Sequence, residues 1–330
     1  MTDPDNANTP FDEHVIDDIL QRFPRLAVAD TNVGLLTTYR VGGRASVFFV
    51  AEQIADLVAL GECIGGRRVP VMSIGFGSNL LVADRGFEGV VVSLASTMSK
   101  IERFDEASVR VGARVSLPVL ARWTVDDRLT GFEWAVGVPG TIGGAVRMNA
   151  GGHGSDMARS LERVRVINVR TGQDVWMQPD ELLLGYRSST LAAYCIVVEA
   201  ELALQRATDD GGPAELRGIV SWRRDNQPGG HNAGSVFANP KDDSAGRLID
   251  SCGLKGFRIG SASVSNKHAN FIQSDSGGTA SDVHAVMAHV RSEVAQSTGI
   301  ELHLENCLAG FTLAELAAVG VLADQFGAAQ

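Results

Sequence analysis

The sequence predicts an α+β protein, and three observations support this class. Short apolar segments, of the length typical of buried strands, alternate with amphipathic helical segments along the chain. Two loops rich in glycine, at 74–79 and 131–152, lie next to such apolar segments. The most regular helix, Ser281–Gln296, belongs to the last third and follows a polar stretch at 207–213 that is typical of a domain boundary. We therefore expect an α/β unit that ends near residue 97 and a domain boundary at 207–213.

The first 97 residues predict one α/β unit. Ile54, Leu57 and Val58 recur at nearly helical spacing and predict a helix over Glu52–Cys63. Residues 1–12 are acidic and polar, and we expect them to be frayed. Apolar runs predict strands at Val47–Val50, Val69–Ile74 and Gly89–Ala95.

Residues 98–209 predict a second unit of strands and helices. Ser116 and Pro118 are typical of a helix start, and the helix is expected to run to about Asp127. The other expected elements are strands at 108–113, Val164–Val169 and Cys195–Leu204 and a short helix at Asp180–Leu184.

The last third predicts helices around a single strand. Val283, Val286 and Met287 belong to the apolar stripe of the helix Ser281–Gln296, and Thr279 is placed to cap its N-terminus. The other expected elements are helices at Glu215–Arg224 and 245–253 and a strand at 268–273.

Composition and charge limit the classes of function. The 330 residues are 45% hydrophobic and 21% charged, without an apolar run long enough to cross a membrane. The formal net charge of −10 argues against general nucleic-acid binding, so an anionic substrate needs a locally basic pocket. The N-terminal residues lack the pattern of a signal peptide. The four cysteines contain no C-x-x-C, which indicates free thiols in a reducing cytoplasm and no metal site.

The two glycine-rich loops predict a cradle for a large ligand that carries a diphosphate. Glycine permits positive φ and a close approach to the main chain, and exposed N–H groups bind phosphate oxygens. The apolar residues Val136, Val138 and Ile142 argue against a flexible linker in the second loop. Taken alone, IGFGSN at 74–79 is a weak signal, because tight turns after strands often contain two glycines. It does not match the dinucleotide motif G-x-G-x-x-G, and the chain has no P-loop motif.

Three polar positions could carry chemistry. They are the segment Tyr186-Arg187-Ser188, Ser235 within NAGSVFANP, and Glu305 in the apolar stretch LHLENCLAGF. Each also has a plain structural interpretation: Arg187 as a surface ion pair, Ser235 as the end of a turn, and Glu305 as a carboxylate satisfied under a loop. The three gain significance from the order of motifs in which they occur.

That order of motifs resembles the UDP-N-acetylenolpyruvoylglucosamine reductases, flavoenzymes of bacterial cell-wall synthesis. The resemblance covers about Thr37 to Phe311, and the short spacer after Leu204 matches the subclass that lacks an extra tyrosine-bearing substrate loop. The motifs are TTYRVGG, GFGSNLLV, GVPGTIGGAVRMNAG, GYRSS, AGSVFANP, AGRLID with GLKGFRIG, VSNKHANFI and a terminal glutamate.

For the fold, the resemblance implies a two-part FAD-binding region of the vanillyl-alcohol-oxidase or PCMH type and a smaller α+β substrate-binding domain. The implied division is 1–97 and 98–209 for the two FAD-binding parts, 210–303 for the substrate-binding domain and 304–330 for a C-terminal return that carries Glu305. FAD is expected to bind non-covalently. The residues implied to hold it are Gly75, Phe76, Gly77, Ser78, Asn79, Gly137, Val138, Pro139, Gly140, Thr141, Gly143, Gly144, Asn149 and Gly151.

For the chemistry, the resemblance implies that NADPH reduces the flavin and leaves. The enolpyruvyl group of UDP-N-acetylglucosamine enolpyruvate then takes hydride from flavin N5 at its β-carbon and a proton from Ser235 at its α-carbon, which gives UDP-N-acetylmuramate. Arg187 and Glu305 match the positions that stabilise the developing negative charge. The residues implied to bind substrate are Tyr186, Arg223, Asn239 and Lys267.

The chain departs from the family pattern at three places. Asn226 stands where a lysine is usual, which removes a cation from the region of the substrate diphosphate; Arg223, Arg224 or Lys267 could compensate. His153 replaces a common tyrosine, and Asn306-Cys307 replaces a valine and a basic residue.

Two other classes of function stay open. One is a flavin oxidase that acts on another alcohol or sugar, and the other is a non-catalytic protein that binds a nucleotide sugar. The sequence contains no fingerprint that separates NADPH from NADH.

Overall fold

The computed structural model describes residue 12 and residues 14–321. The expected fraying of residues 1–12 lies, apart from Asp12, outside the described residues. The described chain is α+β, as predicted, with a mixed four-stranded sheet, an antiparallel five-stranded sheet and a three-stranded sheet as its main layers.

The mixed sheet belongs to the first part of the chain. Its strand order is β1-β2-β5-β3; β2, β5 and β3 run parallel, while β1 pairs antiparallel with β2. Most of β5 is buried, as expected for an inner parallel strand. The predicted strands and helix are confirmed with shifted ends, and α1 and β1 were not predicted. The elements are α1 His14–Arg22, β1 Ala27–Asn32, β2 Arg44–Ala51, α2 Ile54–Ile64, β3 Val71–Ser73, β4 Leu80–Val82 and β5 Phe87–Leu94.

The antiparallel sheet follows and shares one hydrophobic core with the first. Its strand order is β12-β11-β13-β7-β6. Within the second glycine-rich loop the chain forms a short helix, α4, whose first turn is capped by Thr141 Oγ1 accepting from Gly144 N at 3.3 Å. The elements are β6 Ile101–Arg103, β7 Ser108–Gly112, α3 Leu117–Asp126, β8 Leu129–Thr130, α4 Ile142–Arg147, β9 Gly151–Gly152, β10 Ser155–Asp156, β11 Leu161–Asn168, β12 Gln173–Met177, α5 Pro179–Leu182, β13 Cys195–Ala203 and β14 Gln205–Arg206.

The last part packs two helices and a small sheet around a second core. Thr279 caps α8 as predicted, since its Oγ1 accepts from Asp282 N at 3.1 Å. The strand predicted at 268–273 is wrong in its first half, because residues 268–271 form a turn and only Ile272–Ser274 pairs in the sheet. The elements are α6 Gly212–Asn226, α7 Ala245–Ser251, β15 Arg258–Ile259, β16 Ala262–Val264, β17 Ile272–Ser274, α8 Ala280–Thr298, β18 Cys307–Ala309 and α9 Leu313–Ala318.

The C-terminal part is tied back to the first part of the chain. The second core also contains three buried residues from the first part of the chain, Tyr39, Val41 and Leu81. After α8 the chain returns, and β18 pairs in parallel with β4. Among the described residues, no helix is both long and apolar enough to cross a membrane.

Candidate active site

A cavity of about 260 Å³ lies between the N-terminal region and the C-terminal part. Its lining includes the first glycine loop (residues 74–79), most of the second glycine loop (residues 137–151), and part of the serine loop (residues 232–240). Arg187, Ser235 and Glu305 all face this one cavity. The fold therefore brings together three residues that are far apart in the sequence.

The two glycine loops lie directly against each other. Ser78 Oγ donates to the Pro139 carbonyl at 3.0 Å and joins them. Gly140 has φ +138°, which L side chains rarely adopt, and a Cβ placed there would lie 3.1 Å from Ser78 Oγ. Gly77 has φ +62°, and its Cβ would lie 2.5 Å from Thr37 Cα. Both glycines are thus required by backbone conformation and by close packing.

Arg187 and Glu305 form a half-buried ion pair at the wall of the cavity. Arg187 Nε donates to Glu305 Oε1 at 2.7 Å, and Arg187 Nη2 donates to the Gly151 carbonyl at 2.9 Å. Burial raises the pKa of Glu305, and the Arg187 charge and hydrogen bond oppose this without cancelling it. The Glu305 carboxyl is therefore easier to protonate than an ordinary one.

Ser235 is held next to this pair by backbone pairing. Glu305 N donates to the Val236 carbonyl at 2.8 Å, and Phe237 forms a bridge with Leu304. The serine loop and the segment that carries Glu305, just before β18, thus run side by side. A substrate in the cavity would meet the hydroxyl, the carboxyl and the guanidinium together.

Most of the predicted cofactor residues line the cavity, and two do not. Gly143 faces an adjoining cavity of about 100 Å³, which shares Gly75, Thr141 and Gly144 with the first. Asn149 is 5% exposed, and its amide is occupied by protein: Nδ2 donates to the Gly185 carbonyl at 2.9 Å. The residues that line the main cavity are Gly75, Phe76, Gly77, Ser78, Asn79, Gly137, Val138, Pro139, Gly140, Thr141, Gly144 and Gly151.

The predicted substrate residues are spread more widely. Arg223 lines the cavity, and burial lowers the pKa of its guanidinium. Tyr186 is 64% exposed, with its ring 5.5 Å from Arg187 Cζ. Asn239 Oδ1 accepts from Ala245 N at 3.1 Å, at the start of α7. Lys267 Nζ donates to the Arg224 carbonyl at 2.5 Å.

Sequence reasoning missed two arginines near the cavities. Arg147 lies in the last turn of α4, and its guanidinium donates to the carbonyls of Leu191, Ala192 and Cys195. Arg114 lines the adjoining cavity with its Cζ 4.3 Å from the centre of the Phe76 ring. Within the described part of the chain, Arg114 Nη1 is buried and has no hydrogen-bond partner. For Arg147 the available signal was a basic residue within the second glycine-rich loop, whereas Arg114 lies outside both loops and gave no such signal.

The cysteine beside the glutamate also lies in the cavity. Cys307 Sγ is 3.9 Å from Met148 Sδ and from Asn79 Nδ2. Desolvation in the cavity raises the pKa of the Cys307 thiol above its ordinary value. Over residues 12 and 14–321, no group of three or more His, Cys, Asp or Glu is placed to hold a metal ion.

Two family models match the chain, one in the N-terminal region and one in the C-terminal part. Residues 45–178 match the family model described as FAD binding domain, and residues 226–308 match that of the UDP-N-acetylenolpyruvoylglucosamine reductase C-terminal domain. The fold and the site thus define a flavoprotein with a PCMH-type FAD-binding region and a second domain over its cavity.

Individual relatives agree over most of the chain. UDP-N-acetylenolpyruvoylglucosamine reductase of Synechococcus sp. strain WH7803 is 41% identical over 83% of this chain and 90% of its own. The protein of the same name from Bacillus velezensis is 34% identical over 89% and 97%. The crystal structure of the Thermus caldophilus enzyme superposes with a TM-score of 0.74 at 34% identity, over 86% of this chain and 98% of that one.

The chain belongs to the UDP-N-acetylenolpyruvoylglucosamine reductase family. It is accordingly an enzyme, a flavin-dependent oxidoreductase of peptidoglycan precursor synthesis in the UDP-N-acetylmuramate dehydrogenase class.

Proposed function

We propose that the protein reduces the enolpyruvyl group of UDP-N-acetylglucosamine enolpyruvate to give UDP-N-acetylmuramate, with NADPH as hydride donor and FAD bound non-covalently. One observation carries the proposal: Arg187, Ser235 and Glu305 face the same cavity as both glycine loops. This arrangement places groups suited to an anionic, proton-accepting reaction centre beside a cradle suited to a diphosphate.

The residues present fit FAD. The glycine loops present main chain to the cavity, with Gly140 in a conformation that excludes most side chains. The buried, unsatisfied Arg114 Nη1 beside them offers a donor and a positive charge to an anionic group. The residues that would hold the cofactor are those of 74–79 and 137–151, with Arg114. Bound there, the flavin would supply hydride transfer from NADPH to the substrate.

The remaining chemistry falls to residues of the chain. The guanidinium of Arg187 stabilises the negative charge that develops on the substrate carboxylate when its β-carbon is reduced. Glu305 in its acid form donates a hydrogen bond to the same charge, and the raised pKa favours that form. Ser235 gives its hydroxyl proton to the α-carbon. A positioned acid of this kind contributes about 10²–10⁴-fold to the rate.

For the nucleotide, Arg223 and Tyr186 are the best placed of the implied substrate residues, since one lines the cavity and the other adjoins Arg187. Asn239 and Lys267 would have to exchange their present hydrogen bonds for contacts with substrate.

We propose the domain division, the subclass and the cellular compartment that the sequence implies. The division is 1–97, 98–209, 210–303 and 304–330, and the short connection between β14 and α6 supports the subclass that lacks an extra substrate loop. A reducing cytoplasm is consistent with the four free cysteines.

The spectrum of the purified protein tests this function. The protein should be yellow, and acid precipitation should release the flavin. Under anaerobic conditions NADPH should bleach the flavin and the enolpyruvyl nucleotide should restore the colour. Flavin that stays with the pellet and reacts rapidly with oxygen would indicate an oxidase. Colourless protein that takes up no FAD would leave only nucleotide-sugar binding.

A further inference from the structure

Asn306 directly precedes β18, at the point where the chain changes its main-chain hydrogen-bonding partner. Before it, Glu305 N donates to the Val236 carbonyl at 2.8 Å. After it, Cys307 N donates to the Asn79 carbonyl at 2.9 Å, and β18 continues along β4. The segment is therefore bound first to the serine loop and then to the first glycine loop.

The Asn306 side chain joins the same two loops. Its Nδ2 shares two N–H groups among three acceptors: Asn79 Oδ1 at 2.8 Å, the Ala233 carbonyl at 3.1 Å and the Ser235 carbonyl at 3.3 Å. Its Oδ1 accepts from the Tyr39 hydroxyl at 3.2 Å. Backbone carbonyls only accept, so they fix which end of the amide faces the serine loop. Asn306 is 5% exposed, which makes each of these contacts costly to leave unmade.

Tyr39 completes the contact from the other side. It belongs to the motif TTYRVGG, to which the proposed reaction assigns no role. Its ring is fully buried, and burial raises the pKa of its phenol, so the hydroxyl remains a donor. The buried Ser274 hydroxyl donates to the Tyr39 carbonyl at 2.6 Å. This bond ties the backbone of Tyr39 to β17 and does not involve the phenol hydroxyl.

We propose that Asn306 is a positioning residue, whose amide holds the serine loop against the first glycine loop and thereby sets the place of the Ser235 hydroxyl relative to the bound cofactor. The inference rests on the proposed function, in which Ser235 donates a proton. One of the acceptors is the carbonyl of Ser235 itself, at 3.3 Å, so loss of the amide removes the side-chain contact to the residue that bears the hydroxyl and leaves only the backbone bonds of Val236 beside it. A displacement of about 1 Å at a reacting group costs roughly 10²-fold in rate.

The test is Asn306→Val, the residue usual in the family pattern and one of suitable size. Reoxidation of the reduced flavin by the enolpyruvyl nucleotide should slow roughly 10–100-fold, with kcat reduced and KM little changed. Bleaching by NADPH and the dissociation constant of FAD should stay within about threefold of wild type, because Asn79 Nδ2 still donates to the Glu305 carbonyl. Ser274→Ala is the matched control: it removes a buried hydrogen bond to Tyr39 and touches neither Ser235 nor Asn79.

The double variant Tyr39→Phe with Asn306→Val separates positioning from stability. It removes the hydroxyl that loses its acceptor, Asn306 Oδ1, in the single variant and keeps only its contact with the Ala233 backbone, so the melting temperature should recover in part. The reoxidation rate should not recover, because the donor to the serine loop is still missing. Recovery of both quantities, or equal slowing of both half-reactions in Asn306→Val, overturns the proposal. Wild-type protein that NADPH does not bleach, or that the enolpyruvyl nucleotide does not reoxidise, would instead overturn the proposed function.

Discussion

At the scale of single residues, Arg187 is placed by backbone geometry as much as by charge. It has φ +53°, in the left-handed region that few non-glycine residues adopt, and Leu183 in the same loop has φ +43°. Asn149, implied by resemblance to contact FAD, donates to the Gly185 carbonyl between these two residues. The neighbouring backbone thus helps to hold the guanidinium beside Glu305.

Replacing Ser235 with alanine should separate the two half-reactions. Bleaching of the flavin by NADPH should stay near the wild-type rate, since it needs no proton from Ser235. Reoxidation by the enolpyruvyl nucleotide should slow about 10²–10⁴-fold in stopped-flow traces, as expected for loss of a positioned acid. Ser235→Cys should recover part of this rate. Equal slowing of both half-reactions in Ser235→Ala would give the residue a role in shaping the flavin site instead.

The rate of the substrate half-reaction should fall as pH rises through the pKa of Glu305. Burial raises that pKa above the ordinary 4.5, and the acid form is the one that donates a hydrogen bond. Glu305→Gln, whose amide donates at every pH, should abolish the fall. Arg187 and Cys307 are the ionisable groups that interact with this carboxyl, and only the thiol could imitate the effect. Cys307→Ser should therefore leave the pH profile unchanged if the assignment to Glu305 is right.

At the scale of elements, the sequence predicted those helices and strands that the pattern of apolar residues determines. Buried strands such as β5 and β13 and the long helix α8 were found because apolar residues dominate or recur in them. Strand β12 was missed because none of its residues is fully buried and its polar start resembles a turn. Helix α4 was missed because glycine is a poor helix former, and only tertiary packing makes the segment helical.

Helix α6 ends at Asn226, and a charge there should strengthen nucleotide binding. Asn226 Nδ2 now donates to the Trp222 carbonyl within the helix. Asn226→Lys would add a cation opposite the substrate diphosphate and should lower KM with little change in kcat, the sign of uniform binding. Asn226→Gln is the matched neutral control. An unchanged KM for the lysine variant would mean that Arg223 or another cation already meets the diphosphate.

The second glycine loop should not tolerate a side chain at Gly140, where φ is positive. Gly140→Val would need φ near +138° and would crowd Ser78 Oγ, so FAD titrated into apoprotein should not bind measurably. Gly218→Val in α6, where a Cβ meets nothing within 4 Å, is the matched control and should bind FAD normally. Normal loading of the Gly140 variant would remove the loop from the cofactor site.

At the scale of the whole molecule, the site could be predicted only through resemblance, because its members meet across very long sequence separations. Arg187 and Glu305 are 118 residues apart, and Tyr39 and Asn306 are 267 apart. The periodicity of apolar residues within a segment carries no information about such long-range contacts. The resemblance supplied the first pair and could not supply the second, since Asn306 departs from the family pattern.

The segment 303–309, which ends in β18, also limits how ligands enter and leave. It is hydrogen-bonded to the serine loop before Asn306 and to the first glycine loop after it. The N-terminal region and the C-terminal part therefore cannot separate without breaking main-chain hydrogen bonds. Each such bond contributes about 0.5–1.5 kcal/mol. The exposed segment 183–188, which carries Arg187, has no comparable ladder. In deuterium exchange during turnover, the amides of Glu305 and Cys307 should stay protected while segment 183–188 exchanges. Ligands would then enter and leave past segment 183–188, while the hydrogen bonds of segment 303–309 stay intact.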